Sequence, residues 1–466
     1  MPPKFGTSGL RGLVTELTDA LVAAHVRAFL AACPHGGGVH VGRDLRASSP
    51  RIGQTVLAAV REAGLEATDC GAVPTPALAL AAMGRGQAAI MVTGSHIPDD
   101  RNGLKFYLPT GEIAKSDEAA ILAALEQAET GGGTTGPLQE DPGCGAAYAT
   151  RYTEAFGPRA LEGLRIGVYQ HSSVARDLLA EVLQALGAVC VPLARSEVFV
   201  PVDTEAVDPA LRDLLPAWTA QHGLDAVVST DGDGDRPLLA DGAGQVLPGD
   251  VLGPLTARML GAKALVTPVS SNTLVEAMGD FAVTRTRIGS PHVIAGMEAA
   301  LRDDPQARVA GYEANGGFLL GFEAQGPAGP LPPLMTRDAL LPLIAPLAAA
   351  RAAGQSLAQL AAALPARFTA SGRVTGIDTQ AAAALIAALE AEPEARAAFF
   401  ETGAPEQALD LTDGLRVLFE SGEVVHLRPS GNAPEMRCYA EAASAPRAEA
   451  LMTAHLDRLD QRLSRG

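Results

Sequence analysis

The segment "GGVHVGRDLRASSPRIGQTVLAAVREAG", residues 37–64, decides the fold class of this chain. It begins with a short β-rich run and continues into a helical segment. The run "AAIMVTGSH", residues 88–96, is again β-type, and "KSDEAAILAALEQAE", residues 115–129, is again helical. Strands that alternate with helical segments predict βαβ units and a mostly parallel or mixed sheet.

The same alternation recurs along the chain and predicts four domains. A second round begins near residue 164 and a third near residue 249, with a helix around residues 338–364. The later stretch "GLRVLFESGEVVHLRPS", residues 414–430, followed by a terminal helix, predicts a small α+β domain. At about 100–150 residues per domain, the length is compatible with four. The predicted domains are 1–150, 151–248, 249–366 and 367–466, with a Gly-rich surface loop at 130–145 near the first boundary.

Composition excludes several classes of protein. A formal charge of −17 argues against broad nucleic-acid binding, because a polyanion would be repelled. The five cysteines are scattered and include no CxxC pair, so neither a disulfide framework nor a zinc site is indicated. The N-terminus has no hydrophobic signal region, and no apolar stretch approaches the ~18–20 residues of a membrane span. We therefore expect a cytoplasmic protein.

The loop "VTGSHIPDDRNGLKFY", residues 92–107, concentrates chemistry after a predicted strand. Gly94 would let the backbone turn sharply, and Ser95 supplies a hydroxyl. His96 and Lys105 could move protons or hold an anion. An ordinary polar turn with an N-capping Ser is the alternative for this loop taken alone.

The stretch "TDGDGDRP", residues 230–237, predicts a metal site. Asp231, Asp233 and Asp235 alternate after a strand, and carboxylates this close are best explained by a hard divalent cation. A calcium EF-hand would need Gly where Arg236 stands and Glu where Gly242 stands. The interpretation that remains is a Mg²⁺ ion bound by the three carboxylates, and the alternative is an acidic turn without a metal ion.

Two further loops have the composition of binding sites. In "GYEANGGFLLG", residues 311–321, Glu313 and Asn315 offer the carboxylate and amide that commonly bind sugar hydroxyls. A Gly-rich hairpin is the alternative there. In "RPSGNAPEMR", residues 428–437, arginines, a hydroxyl and backbone amides could converge on one phosphate, although a simple turn would look similar. These candidates are Arg428, Ser430, Gly431, Asn432 and Arg437.

Taken together and in this order, the loops resemble those of the alpha-D-phosphohexomutase superfamily, along the whole chain. "FGTSGLRG", residues 5–12, resembles its N-terminal substrate-facing loop. The four loops above resemble its phosphoserine, metal, sugar-specificity and phosphate-binding loops. The resemblance implies three related α/β domains with mixed sheets and a smaller C-terminal α+β domain around a central cleft. It also implies an enzyme that interconverts hexose 6-phosphates and hexose 1-phosphates through a bisphosphorylated sugar.

The resemblance assigns expected roles residue by residue. Ser95 would be the phosphoserine and a further Mg²⁺ ligand beside the three Asp side chains. Arg11 and Arg236 would face the transferring phosphoryl group, while His96 and Lys105 would act as acid/base or phosphate-orienting groups. Thr7, Ser8, Glu313 and Asn315 would contact substrate. The clamp for the other phosphate would be Arg428, Ser430, Gly431, Asn432 and Arg437.

Some positions depart from the family pattern. Asn432 and Ala433 stand where many members have Thr and Glu, Asn315 replaces a common Ser, and Gly317 stands where His is frequent. Three interpretations remain open: a phosphomannomutase, with or without phosphoglucomutase activity; a mutase for glucosamine or N-acetylglucosamine phosphate; and a non-catalytic sugar-phosphate-binding protein. The expected partners are hexose phosphates, and we expect no binding to nucleic acid or to a membrane. The expected oligomeric state is a monomer or a homodimer. The sequence indicates no function for His171.

Overall fold

The computed structural model describes residues 3–6, 9–125, 134–429 and 434–463. Its contacts divide the chain into two compact units. Unit 1 comprises Met1–Leu265 and Gly289–Ala361, and unit 2 comprises Val266–Ile288 and Ala362–Gly466. In the described part of the chain, no helix has the length and apolar character that crossing a membrane requires.

The first sheet of unit 1 carries the loop that contains Ser95. Its neighbours run in the order β1-β2-β6-β5-β3-β4-β8, with β7 on β6. The β5-β3-β4-β8 side is parallel and the β1-β2-β6-β5 side is antiparallel, so the sheet is mixed. Val26, Phe29 and Ile90 contribute to a core between this sheet and its helices. The elements are β1 (Lys4–Gly6), β2 (Gly9–Leu13), α1 (Asp19–Ala32), β3 (Gly38–Arg43), α2 (Ser49–Glu62), β4 (Glu66–Ala72), α3 (Thr75–Gly84), β5 (Ala88–Val92), β6 (Arg101–Leu108), β7 (Gly111–Glu112), α4 (Lys115–Ala124), β8 (Leu138–Glu140) and α5 (Cys144–Phe156).

The second sheet carries the acidic loop. Its order is β10-β9-β11-β12-β13; β9 pairs in parallel with β10 and β11, and β12 pairs antiparallel with β11 and β13. Residues 231–236 form the tight connection from β11 to β12. The elements are β9 (Arg165–His171), α6 (Arg176–Ala185), β10 (Val189–Arg195), α7 (Pro209–His222), β11 (Ala226–Thr230), β12 (Pro237–Asp241) and β13 (Val246–Leu247).

The third region carries the predicted sugar loop, which is the turn from β16 to β17. In unit 1 the strands β16, β17 and β20 are antiparallel neighbours. The chain passes into unit 2 within β14 and returns before α10. The elements are α8 (Gly249–Leu260), β14 (Ala264–Pro268), α9 (Leu274–Ala277), β15 (Ala282–Thr286), α10 (Ser290–Asp303), β16 (Val309–Tyr312), β17 (Phe318–Leu320), β18 (Ala324–Gln325), β19 (Pro330–Leu331), β20 (Leu334–Asp338), α11 (Leu340–Ala352) and α12 (Leu357–Ala362).

The C-terminal part of unit 2 is an antiparallel sheet in the order β21-β25-β24-β23-β22, with helices packed on it. Phe399, Leu427 and Leu459 belong to its buried core. This arrangement confirms the predicted α+β region, and the mixed sheets of unit 1 confirm the α/β class. The elements are β21 (Phe368–Thr375), α13 (Thr379–Ala391), α14 (Pro393–Phe400), β22 (Glu406–Asp410), β23 (Leu415–Phe419), β24 (Val424–Pro429), β25 (Glu435–Ala442) and α15 (Ala445–Leu463).

Two local predictions were wrong. The helix expected around 338–364 is two helices, because Gly354 adopts φ 64° and ends α11. The surface loop expected at 130–145 contains β8, which pairs in parallel with β4, and the start of α5; residues 130–133 of it lie outside the described range. The three boundaries between the four predicted domains stay a prediction.

Candidate active site

Ser95 follows β5 and is the strained residue of its loop. Its φ is 56°, in the left-handed region that residues with a side chain rarely adopt, and it is 1% exposed. The backbone N–H of Ser95 donates to Thr93 Oγ1 at 2.7 Å. Gly94 is required for a reason the sequence did not indicate: a Cβ there would lie 2.7 Å from Arg46 Cζ.

Arg46 packs against the loop that contains Ser95 and supports it, although sequence reasoning missed this residue. Its side chain is 1% exposed, its Nε contacts Asp44 Oδ2 at 3.1 Å, and its guanidinium stacks 3.8 Å from the centroid of the Phe199 ring. The same guanidinium donates to four backbone carbonyls at 2.6–3.1 Å. Those carbonyls belong to Ser95, Ile97, Pro98 and Arg101. Buried carbonyls need partners, so Arg46 fixes the path of the loop.

The acidic loop is in direct contact with Ser95. The Ser95 Oγ hydroxyl donates to Asp231 Oδ2 at 2.6 Å. The other carboxylate oxygen of Asp231 accepts the backbone N–H groups of Gly234, Asp235 and Arg236 at 3.1–3.3 Å. Burial, followed by the Asp233 and Asp235 charges, raises the pKa of Asp231 well above its usual value.

Lys105 lies between the other two carboxylates. Its Nζ is 2.5 Å from Asp233 Oδ2 and 2.6 Å from Asp235 Oδ2. Thr75 Oγ1 also donates to Asp233 Oδ2, at 2.6 Å. Burial raises the pKa of Asp233, but Lys105 outweighs it, so the net pKa is lowered. Asp233 and Asp235 thus each give their Oδ2 to protein donors, whereas Asp233 Oδ1 and Asp235 Oδ1 have no hydrogen-bond partner among the described residues.

These orphaned oxygens fit a metal ion. Each Asp side chain of the triad is fully buried and offers one carboxylate oxygen, and these three oxygens lie within 4.8 Å of one another. An unpaired buried carboxylate oxygen is costly, and hard divalent cations prefer oxygen ligands. Because Lys105 uses the Oδ2 atoms, the lysine and a cation at the Oδ1 atoms can be held together.

Cationic side chains approach the same place. Arg236 donates an N–H to His96 Nδ1 at 2.8 Å, which leaves the ring hydrogen of neutral His96 on Nε2, because guanidinium groups only donate. Burial, followed by Arg236, lowers the pKa of His96 to about 3. Burial, followed by Arg236 and Arg337, lowers the pKa of Arg11 to about 10. Guanidinium groups that repel one another in this way are suited to a multiply charged anion.

The predicted sugar loop is a tight turn with a buried carboxylate. Glu313 is 5% exposed, and its backbone N–H donates to Gly317 O at 3.1 Å. Asn315 Oδ1 accepts the Gly317 N–H at 3.0 Å, which orients the side-chain amide and leaves its NH₂ group free to donate to a ligand. Thr204 Oγ1 donates to Asn315 O at 2.8 Å and holds the turn.

In unit 2, arginines stand side by side on three neighbouring strands. Arg437 on β25 is the register partner of Arg428 on β24 and of Arg373 on β21. Arg428 pairs with Asp413 at 3.0 Å, and Arg437 pairs with Glu435 at 2.9 Å. Arg373 also pairs with Glu435, at 3.5 Å, so carboxylates of the protein already offset the charges of these three arginines. The predicted residues Ser430, Gly431 and Asn432, like Thr7 and Ser8 near the N-terminus, lie outside the described residues.

Unit 1 therefore brings Ser95, His96, Lys105, Arg236 and the three Asp side chains together. His171 belongs to their support: it is fully buried, and its Nε2 is 2.9 Å from Thr230 O, immediately before Asp231. Sequence reasoning missed Arg46, Thr75 and Arg337. None of them carries a local motif signal, because each acts on a loop distant in sequence.

Comparison with known proteins matches the chain to four family models. These are phosphoglucomutase/phosphomannomutase alpha/beta/alpha domains I, II and III at residues 2–131, 146–244 and 248–368, and the C-terminal domain at residues 372–457. The chain is 45% identical to a phosphomannomutase of Sinorhizobium fredii, over 97% of this chain and 98% of the relative. It is 42% identical to a phosphomannomutase of Salmonella muenchen, over 99% and 96%. A phosphoglucomutase/phosphomannomutase family protein of Burkholderia thailandensis shares the fold, with a TM-score of 0.76 and 21% identity over 98% and 96% of the two chains.

Proposed function

The chain belongs to the phosphoglucomutase/phosphomannomutase family and is a phosphohexomutase, and we propose that it interconverts mannose 6-phosphate and mannose 1-phosphate, with the glucose phosphates as a second substrate pair. The observation that carries this proposal is the contact of Ser95 Oγ with Asp231, beside two further buried carboxylates and Lys105. The two phosphomannomutases at 45% and 42% identity support mannose.

Ser95 is the proposed phosphoryl carrier. Phospho-Ser95 gives its phosphoryl group to the free hydroxyl of a hexose monophosphate: a new O–P bond forms at that hydroxyl, the Ser95 Oγ–P bond breaks, and the hydroxyl proton ends on Ser95 Oγ. The bisphosphate then turns around and returns its other phosphoryl group to Ser95. The left-handed backbone at Ser95 and the four carbonyls held by Arg46 support this role, because they fix the hydroxyl before reaction.

Asp231, Asp233 and Asp235 are the proposed ligands of Mg²⁺, with phospho-Ser95 as a further ligand. When bound, Mg²⁺ neutralises charge on the transferring phosphoryl group. Arg11 and Arg236 contribute positive charge to the same group. His96 orients Arg236 through its Nδ1, and Lys105 is the group placed to move a proton near Ser95.

Substrate recognition is proposed to use both ends of the hexose phosphate. Glu313 accepts hydrogen bonds from sugar hydroxyls, and the Asn315 NH₂ group donates one. Arg428 and Arg437 bind the phosphate that is not transferred, together with Ser430, Gly431 and Asn432. Thr7 and Ser8 complete the substrate contacts.

The proposal is tested by assaying turnover with four sugar 1-phosphates: mannose, glucose, glucosamine and N-acetylglucosamine. We expect the highest kcat/KM for mannose 1-phosphate and measurable turnover of glucose 1-phosphate. The amino sugars should be poorer by at least about tenfold, the size of one changed polar contact. A preference for glucosamine 1-phosphate would replace the proposal with the amino-sugar alternative.

Replacement of Arg437 by alanine tests the phosphate clamp. It removes a charge-assisted contact of roughly 1.5–3 kcal/mol, so both the 1-phosphate and the 6-phosphate should bind about 10- to 100-fold more weakly. Calorimetry on a Ser95→Ala background measures this without turnover. Arg447→Ala, which removes only the pair with Glu423, should leave both affinities unchanged. Weakening of one isomer alone would contradict a phosphate position shared by both substrate orientations.

A cytoplasmic location and a monomeric or homodimeric state also stay predictions. Cell fractionation and light scattering measure them directly.

A further inference from the structure

Arg337 joins the acidic loop to the sugar loop. It lies near the end of β20 and is 2% exposed. Its guanidinium is 2.9 Å from Asp235 Oδ2 and 3.5 Å from Glu313 Oε2. A single buried cation therefore contacts one proposed metal ligand and one proposed sugar ligand.

The position of Arg337 is fixed by packing on every side. A Cβ at Gly317 would lie 3.0 Å from Arg337 Cγ and Cδ, so the aliphatic stem occupies the space beside that glycine. The preceding residue, Thr336, donates to Glu112 Oε1 at 2.9 Å. The following residue, Asp338, accepts hydrogen bonds from the hydroxyls of Tyr148 and Tyr152. These contacts hold the backbone and the aliphatic stem of Arg337, and the ion pairs with Asp235 and Glu313 hold its guanidinium.

The positive charge of Arg337 offsets negative charge on nearby carboxylates. Four carboxylates belong to the two loops, those of the Asp triad and of Glu313. Asp235 Oδ2 is shared between Lys105 and Arg337, at 2.6 and 2.9 Å. Removal of Arg337 would leave Asp235 with Lys105 at 2.6 Å and the more distant Arg236 at 3.9 Å, and it would leave the buried Glu313 carboxylate without this partner. A buried site with excess negative charge attracts a cation more strongly and repels a dianionic phosphate more strongly.

We propose that Arg337 is a positioning residue with two effects. Its positive charge offsets the negative charge of the acidic loop, which would otherwise repel the incoming phosphoryl group, and its contact with Glu313 holds that side chain in place for the sugar. The inference rests on the proposed function. It implies that the Arg337 charge weakens binding of a cation at the acidic loop and strengthens binding of the anionic sugar phosphate. Loss of its charge should therefore move the two affinities in opposite directions.

The test is Arg337→Met in the full chain, which removes the charge and keeps much of the volume. Calorimetry with Mg²⁺ alone should show affinity raised by roughly three- to tenfold, and binding of mannose 6-phosphate at saturating Mg²⁺ should be weaker by roughly tenfold. Arg337→Lys restores the charge and should return Mg²⁺ affinity to the wild-type value, while mannose 6-phosphate binding stays weaker because one ammonium group cannot reach both loops.

The outcomes separate the possible roles. Weakening of both affinities would mean that Arg337 only supports the fold, and no change in either would mean that its charge does not matter; each overturns the inference. Arg337→Gln repeats the test if the Met variant does not fold. Arg308→Met removes a guanidinium that binds Leu260 O elsewhere in unit 1 and should change neither affinity. Absence of turnover of any sugar phosphate by the wild-type protein would instead contradict the proposed function. The two failures can be distinguished, because the Mg²⁺ titration does not depend on turnover.

Discussion

Replacement of Ser95 by alanine is expected to abolish covalent phosphate on the protein and to lower kcat by about 10⁴-fold or more. Loss of a residue that carries the transferred group removes the reaction path itself, and comparable losses of nucleophiles cost about 10⁶-fold. The fold should survive, because Asp231 keeps its three backbone N–H donors when the Ser95 hydroxyl is gone. A coupled mutase assay and intact-protein mass spectrometry after incubation with glucose 1,6-bisphosphate measure both effects.

The matched control is Ser229→Ala. Ser229 is also buried, but its hydroxyl donates to backbone carbonyls, to Tyr169 O at 2.7 Å and to Thr230 O at 3.4 Å, and not to a carboxylate of the Asp triad. That variant should remain phosphorylated and active. Near-normal turnover in Ser95→Ala would exclude Ser95 as the carrier and would make Ser8 the residue to test next.

The sequence was sufficient to predict which loops hold the chemistry, because the relevant side chains are clustered in short motifs after strands. Ser95 follows β5 and Asp231 follows β11, and the structure confirms that the three Asp side chains form a compact buried group. The small C-terminal α+β region was also predicted, from the stretch 414–430 and the helix that follows it. The motifs could not predict the 2.6 Å contact between Ser95 Oγ and Asp231 Oδ2, because this contact depends on how two separate sheets pack.

The supporting residues were beyond sequence reasoning for a physical reason. Arg46 acts on carbonyls about fifty residues away, and Arg337 acts on a carboxylate about a hundred residues away. An arginine in a sequence is usually a surface residue, and nothing local distinguishes one that is fully buried. The sequence predicts that Gly94 allows a sharp turn, and the structure adds that the absence of a side chain at Gly94 leaves room for the Arg46 guanidinium.

Asp233→Asn is expected to weaken Mg²⁺ binding by at least about 100-fold and to slow phosphoryl transfer by a similar factor. Loss of groups that only orient a metal ligand already costs 10- to 100-fold in affinity, so loss of a ligand charge should cost no less. The effect has a geometric cause as well. Asp233 Oδ2 accepts from both Lys105 and Thr75, so an asparagine that keeps an acceptor there must turn its NH₂ group toward the orphaned Oδ1 position, where it would repel a cation.

Calorimetric titration with Mg²⁺ in the absence of substrate measures the affinity, and the Mg²⁺ dependence of kcat measures the catalytic effect. Asp241→Asn is the control, because that carboxylate is buried in the same sheet and accepts only backbone N–H groups, at 2.9 Å from Ala243 and Gln245, which an asparagine oxygen can also accept. Unchanged Mg²⁺ affinity in Asp233→Asn would mean that groups of the protein, among them Lys105, Arg337 and the backbone amides, balance the three carboxylates. The loop would then be an acidic turn held by a lysine, and the charge on the transferring phosphoryl group would have to be met by Arg11, Arg236 and Lys105 without a metal ion at this place.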